Sequence, residues 1–511
     1  MSDWTAGYVA DIGYTYGYYP ELNPSRIHLA FASTGLVAPH IKTACELGFG
    51  QGLSVNLHAA ASNTDWWGTD FNPSQAGFAQ ELASSSGAHA HLFDQSFAQF
   101  CSRDDIPDFD FIGLHGIWSW ISDENRRVIV DFLARKLRVG GVLYISYNTL
   151  PGWGTFAPMR HLMTEHAEVI GAEGRGIVNR INDAIDFSEK LLATNPMFSR
   201  ANPQIGDRIQ KLKEHSRHYL AHEYFNRDWH PMHFATMRDW LEPAKLSYAA
   251  SAHFFDHIEA INLTADQIGF LKDIPDAMFR ESVRDFMVNQ QFRRDYWVKG
   301  PRRLDAAQQA KIVQAQRVVM VSKREAVSLK VAGAAGEASL NESVYLPILD
   351  LMQDHAPRSI QQIFEHCAPK GLSLPQVVQA VIAMTGAGHF APSNWDEEAA
   401  RIKDVVIRAN EAVRARAEGS QDIQFLGSPL TGGGVSVSRF QQLFMSAEAA
   451  GHTNAQALAH YVWVILKRLN QRIIKEGKAL ETEADNLAEL ERQAADFLGK
   501  QRAILKALQV Y

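Results

Sequence analysis

The sequence predicts an α/β architecture: a parallel-rich sheet in its first third, then mainly α-helical domains that include a winged-helix-like unit. Three observations carry that reading. Short apolar runs at 43–47, 66–70, 89–93, 109–114 and 141–146 each end at or beside Gly, Asp, His or Asn. Amphipathic stretches such as 53–61 and 125–136 lie between them, the alternation expected of βαβ units on a parallel sheet. Beyond Trp153 the strand signal fades, and 160–170, 177–194, 208–220 and 281–292 carry apolar residues three and four apart.

The later elements follow in order. The small-residue stretch 331–336 reads as a flexible linker. Val344, Leu346, Ile348, Leu349 and Met352 then form one helix face, 359–364 a second helix, and Pro375 opens a third with Val377, Val378, Val381 and Ile382. Three short helices ending at Gly388-His389-Phe390 give the winged-helix-like unit. The remainder is helical around Gly432-Gly433-Gly434, and its last segment offers Leu487, Leu490, Phe497, Leu498 and Leu505 for burial. The expected divisions are 1–155, 156–330, 341–395 and 396–511.

Composition narrows the function. A chain of 511 residues, 46% hydrophobic and 21% charged, holds several domains with their own cores and is not disordered. A net charge of −7 supplies no overall basic field, so a nucleic-acid partner is not expected. Cys45, Cys101 and Cys367 are too few for a disulfide framework and have no metal-like spacing. Met1-Ser2-Asp3-Trp4 lacks the start of a signal peptide and no apolar run reaches membrane length, so a cytoplasmic protein without a membrane span is expected.

In a parallel sheet ligands gather at the carboxyl ends of the strands. The first strand end is Glu46-Leu47-Gly48-Phe49-Gly50-Gln51-Gly52, where glycines let the backbone turn tightly and approach a ligand. A dinucleotide fingerprint wants a further glycine where Leu53 stands, which argues against that variant. Asp70 closes the second strand and can accept hydrogen bonds from two ribose hydroxyls, with Phe71 beside the adenine; the competing role, a helix cap, can fall to Asn72 or Ser74. Asp94 and Gln95 close the third strand, Asp94 where an adenine amino group would fall. Three such features on consecutive strands point to a nucleotide-type cofactor.

The fourth strand runs into His115-Gly116-Ile117-Trp118-Ser119-Trp120. His115 is a candidate to orient a nucleophile or take its proton, or else it shapes the loop. Trp118 can wall a reaction site; Trp120 reads as core. The fifth strand leads into Tyr147-Asn148-Thr149-Leu150-Pro151-Gly152-Trp153, where Tyr147 and Asn148 can accept hydrogen bonds from an amine, although Pro151-Gly152 is also ordinary turn chemistry.

The loop from Glu46 to Gly52, the His115–Trp120 run and the Tyr147–Trp153 turn resemble bacterial class I S-adenosylmethionine methyltransferases that carry a methyltransferase regulatory domain, a group that includes rickettsial outer-membrane-protein lysine methyltransferases. The likeness continues through Tyr219-Leu220-Ala221-His222-Glu223-Tyr224, Arg284-Asp285-Phe286 and Phe292-Arg293-Arg294-Asp295. It implies a Rossmann-like fold, S-adenosyl-L-methionine as cofactor, methylation of lysine ε-amines in a protein substrate, and a homodimer. Small-molecule and RNA methyltransferases, or a non-catalytic cofactor-binding regulator, share the same cofactor residues. The aromatic leader Tyr14, Tyr16, Tyr18 and Tyr19 matches the same group, either as a lid over the cofactor or as packing on the sheet edge.

Two patterns point elsewhere on inspection. His218 and His222 stand four apart near His215, Glu223, His230 and His233, yet the spacing lacks the His-Glu-x-x-His of zinc proteases, and no metal is expected. Arg293, Arg294, Lys299, Arg302 and Arg303 surround Tyr296 and Trp297; a solvated or salt-bridged face is the favoured reading over an RNA or acidic-protein site.

Overall fold

The computed structural model describes residues 15–511, so Tyr14 and the first residues of the leader lie outside the described residues. A seven-stranded sheet organises the first 300 residues: β1 (Thr43–Leu47), β2 (Asp65–Thr69), β3 (Ala90–Phe93), β4 (Phe109–Leu114), β5 (Leu137–Asn148), β6 (Leu246–Ser251) and β7 (Phe292–Lys299). Their spatial order is β3-β2-β1-β4-β5-β7-β6. Strands β1 to β5 pair in parallel, and β7 alone runs antiparallel to both neighbours. The order reverses between β1 and β4, which opens a crevice at their carboxyl ends.

The five expected strands are present to within a few residues, but the expected helical stretch 156–330 also supplies β6 and β7, which complete the sheet. Strand β7 hides behind its charges. Arg293 and Arg294 read as surface, whereas they are neutralised by Asp295 of the same strand and by carboxylates from other elements, and the strand is buried along most of its length. The expected helix 208–220 is two, Ile205–Glu214 and Arg217–Tyr224, with the Ser216 side chain capping the second. The expected linker is instead an antiparallel hairpin, Lys330–Gly333 with Gly336–Ser339.

Three helices, Glu342–Met352, Ile360–Cys367 and Leu374–Gly386, fall where expected. Their small sheet takes its central strand, Arg317–Met320, from upstream of the helices, flanked by Arg358–Ser359 and Phe390–Pro392. The C-terminal region is helical around two hairpins, a short one at Ile474–Lys475 with Lys478–Ala479 and a longer one, Phe425–Ser428 with Gly433–Ser436, whose turn contains Gly432. Leu490, Phe497 and Leu505 are buried there, while Leu487 and Leu498 are half-buried. The long helix Asp396–Ala417 lies against the helix Pro73–Ser86, joined by Arg416–Glu81 and by Arg408 Nε donating to the Ser86 carbonyl (2.9 Å). Among the described residues no helix is long and apolar enough to cross a membrane.

Candidate active site

The segments that follow β1, β2, β3 and β4 open onto one cavity of about 410 Å³. Its first wall is the glycine loop. Gly48, Gly50 and Gly52 all have positive φ (74°, 58° and 71°), a region L side chains enter at a cost. A Cβ on Gly48 would overlap Ile117, and one on Gly52 would overlap Ala79, so the loop can lie this close to its neighbours only without side chains.

Asp70 ties this loop to β2. One carboxylate oxygen accepts the Gly50 N–H (2.9 Å) and the other the Asn72 N–H (3.0 Å), while Asn72 itself caps the next helix. Burial pushes the Asp70 carboxyl up to about 6 against those two N–H groups. Glu46 lies buried behind the loop, its Oε2 without a hydrogen-bond partner, and burial with the nearby Asp70 charge pushes it up to about 8. Phe49, Phe71 and Gln95 line the cavity as expected. Asp94 does not; it is exposed, and the neighbouring Gln95 is turned inward by mutual hydrogen bonds with Thr69.

On the opposite wall His115 lines the cavity. Its Nδ1 is 2.8 Å from the Tyr144 hydroxyl and its ring stacks on Tyr19 with centroids 3.6 Å apart. Burial lowers the imidazole to about 4, with Glu21 opposing, so it is neutral near pH 7. The other three residues expected to act on an acceptor are not at the cavity surface. Trp118 is fully buried and donates to the Met232 sulfur (3.4 Å). Tyr147, also fully buried, donates its hydroxyl to Asp295 (2.9 Å). Asn148 is buried, its N–H held by Ser119 Oγ (2.8 Å) and its side-chain Nδ2 unpartnered. Trp120, expected in the core, is buried and also lines the cavity, and the tight turn Trp118–Trp120 sends its two indoles to different places. Phe97, Glu124, Arg227 and Asp228 line it too, and no local pattern marked them.

Behind this wall lies a buried charge cluster. Arg293 reaches Asp285 (2.6 Å), Asp295 (2.9 Å) and Glu281 (2.9 Å). Arg294 pairs with Glu21 (2.8 Å) and Lys299 donates to the Ala134 and Leu137 carbonyls, while Tyr296 and Trp297 are core. Among the described residues no group of three His, Cys, Asp or Glu side chains is placed to hold a metal ion.

Over 510 residues, 99% of both chains, the sequence is 38% identical to protein sll1526 of Synechocystis. Residues 216–299 match the family model described as a predicted methyltransferase regulatory domain. The chain belongs to the same family as sll1526 and carries this predicted methyltransferase regulatory domain. The fold agrees: PKMT2 of Rickettsia typhi superimposes with a TM-score of 0.65 at 17% identity, covering 96% of this chain and 98% of that one. Its structure in complex with AdoHcy gives 0.63 at 16%, covering 94% and 98%. In this chain the regulatory segment is not a separate appendage. It contains β6 and β7, and it contributes Arg227 and Asp228 to the cavity.

Proposed function

We propose that the cavity binds S-adenosyl-L-methionine and that the protein transfers its methyl group to lysine ε-amines of a protein substrate. The observation that carries the cofactor part is the convergence of the glycine loop and Asp70, locked by the Gly50 N–H bond, on one cavity. The residues present fit such a ligand. Each Asp70 oxygen spends one lone pair on a backbone N–H and keeps another for a ribose hydroxyl. Glu46, expected at the amino-acid half of the ligand, does not line the cavity and, raised to about 8, is largely protonated at pH 7, so it is not counted among the acceptors. When bound, the sulfonium supplies an activated methyl group.

The chain's own residues then have to present a neutral amine. Lysine in water titrates near 10.4, so deprotonation at pH 7 costs about 5 kcal/mol. Tyr19, Phe97 and Trp120 line the cavity and withhold water, which favours the neutral form. Glu124 and Asp228 line the same cavity and favour entry of a cationic side chain over an anionic one; Asp228 also lies 3.8 Å from Arg227 and 3.4 Å from His230. The neutral His115, held by Tyr144, supplies a fixed polar edge for positioning rather than a strong base.

Calorimetry with S-adenosylmethionine and S-adenosylhomocysteine tests the cofactor, and label transfer from radiolabelled cofactor into a lysate tests the acceptor. Label that is lost on protease digestion, survives nuclease and appears as methyl-lysine after hydrolysis is the expected result. Label removed by nuclease or found in small molecules overturns the acceptor assignment, and absence of binding overturns the whole reading.

A further inference from the structure

Residues 15–19 form a strap whose side chains face two ways in turn. Thr15, Gly17 and Tyr19 line the cofactor cavity. Tyr16 and Tyr18 point to the other side, into the C-terminal region, as alternate residues of an extended chain do. Tyr16 packs edge-on to Phe78 (5.0 Å) and borders a small cleft with Arg416, Ile423 and Gln442. Tyr18 lies between Phe425 (5.3 Å) and His58 (5.1 Å), and its hydroxyl is bonded by the Gly434 backbone and by Asn23.

The strap is also fixed to the cofactor loop. The Tyr19 N–H donates to Ser54 Oγ (3.1 Å), and its carbonyl lies 3.1 Å from His58 Nε2. Both partners sit on the helix Leu53–Ala60, which starts at Gly52. Just beyond the strap, Asn23 donates to the Thr431 carbonyl (2.8 Å). The contact with the hairpin is tight at one point. A Cβ on Gly433 would overlap the Tyr18 hydroxyl oxygen, and the next nearest atoms would be Asn23 Nδ2 at 3.1 Å and His58 Nδ1 at 3.2 Å.

We propose that residues 396–511 act as a clamp that holds the strap closed over the cofactor cavity, with Tyr18 and Gly433 as its positioning residues. The inference rests on the S-adenosylmethionine reading of the cavity. Tyr19 forms part of the cavity wall, while Tyr16 and Tyr18 lock the strap to the C-terminal domain. Shifting the C-terminal domain therefore shifts Tyr19 off His115 and loosens the cofactor without substituting any residue that lines the cavity.

The test uses the full chain and S-adenosylhomocysteine, with affinity read by calorimetry and release by stopped-flow. Gly433 does not have a positive φ, so alanine there brings the overlap with Tyr18 and a lesser crowding of Asn23 and His58. If the closed strap falls to about a tenth of the population, the dissociation constant of Gly433→Ala rises about tenfold. Tyr18→Phe removes the one atom that the new methyl would overlap, leaving only the lesser contacts with Asn23 and His58, so the double variant Y18F/G433A should return most of the way to the affinity of Y18F. That rescue is the outcome a general loss of packing would not give. Should Gly433→Ala fail to fold, Tyr18→Ala against Tyr18→Phe carries the same test, with weak binding only in the alanine variant. Wild-type affinity in Gly433→Ala, or no rescue in the double variant, overturns the clamp while leaving the cofactor reading intact. No binding to the wild-type chain overturns the cofactor reading and the clamp with it.

Discussion

The two walls of the cavity are built in different ways. Gly48 to Phe71 make one wall within a single βαβ unit, where positive-φ glycines and a strand end fix the geometry locally. The other wall gathers Tyr19, His115, Trp120, Arg227 and Asp228 from separate stretches of chain, and Tyr19, His115 and Trp120 are held by partners distant in sequence. His115 needs Tyr144 and Tyr19; the sheet beneath needs the Arg293 cluster. A local wall stays intact if remote packing loosens, whereas an assembled wall loses alignment. Cofactor binding and methyl transfer should therefore respond to different mutations.

The largest expected effect breaks the support of the assembled wall. Arg293→Met leaves Glu281, Asp285 and Asp295 facing one another without their shared cation, and uncompensated buried charge typically costs about 3–5 kcal/mol. Denaturant unfolding should show that loss; a midpoint near wild type would mean the cluster carries no such weight. Next comes the local wall. Asp70→Asn removes a charged acceptor and should weaken S-adenosylhomocysteine binding up to about a hundredfold, from about 1.5–3 kcal/mol per such bond. The pH dependence is signed. With its folded pKa raised to about 6, Asp70 takes up a proton as pH falls through that value, so wild-type affinity should drop between pH 7 and pH 5. The same proton makes the Asp70 contribution to folding decline as pH rises from about 4 toward 6, because the unfolded carboxyl releases it near 3.9. An affinity flat across that range, or unchanged in Asp70→Asn, would remove Asp70 from the ligand.

The same contrast explains what could be read from the chain alone. Strands β1 to β5 show because their burial is written in consecutive apolar residues, and the glycine loop shows because backbone strain demands glycine at fixed places. Strand β7 does not, since the partners that neutralise Arg293 and Arg294 lie at Glu281, Asp285 and Glu21. Trp118 and Trp120 are alike in composition and differ only by which way a short turn directs them. Asp94 occupies the expected strand end, but the loop after β3 turns it out and Gln95 in, a choice made by Thr69 on the adjacent strand. The hairpin at 330–339 similarly depends on pairing that small residues do not announce.

Two smaller effects sharpen the comparison on the assembled wall. His115→Ala should lower the turnover number about tenfold if the neutral ring only positions the acceptor, while general-base loss would be about a hundred- to ten-thousandfold. Single-turnover rates with cofactor bound separate these, and an unchanged rate would take His115 out of the site altogether. Tyr147→Phe should do least. Its hydroxyl is buried and given to Asp295, so its removal costs one hydrogen bond, about 1 kcal/mol of stability, and leaves the cavity lining untouched. Unfolding and methyl-transfer rates measured on the same sample decide the point. A rate that collapses while the unfolding midpoint stays put would show that Tyr147 reaches the acceptor after all, and that the wall rearranges when substrate arrives.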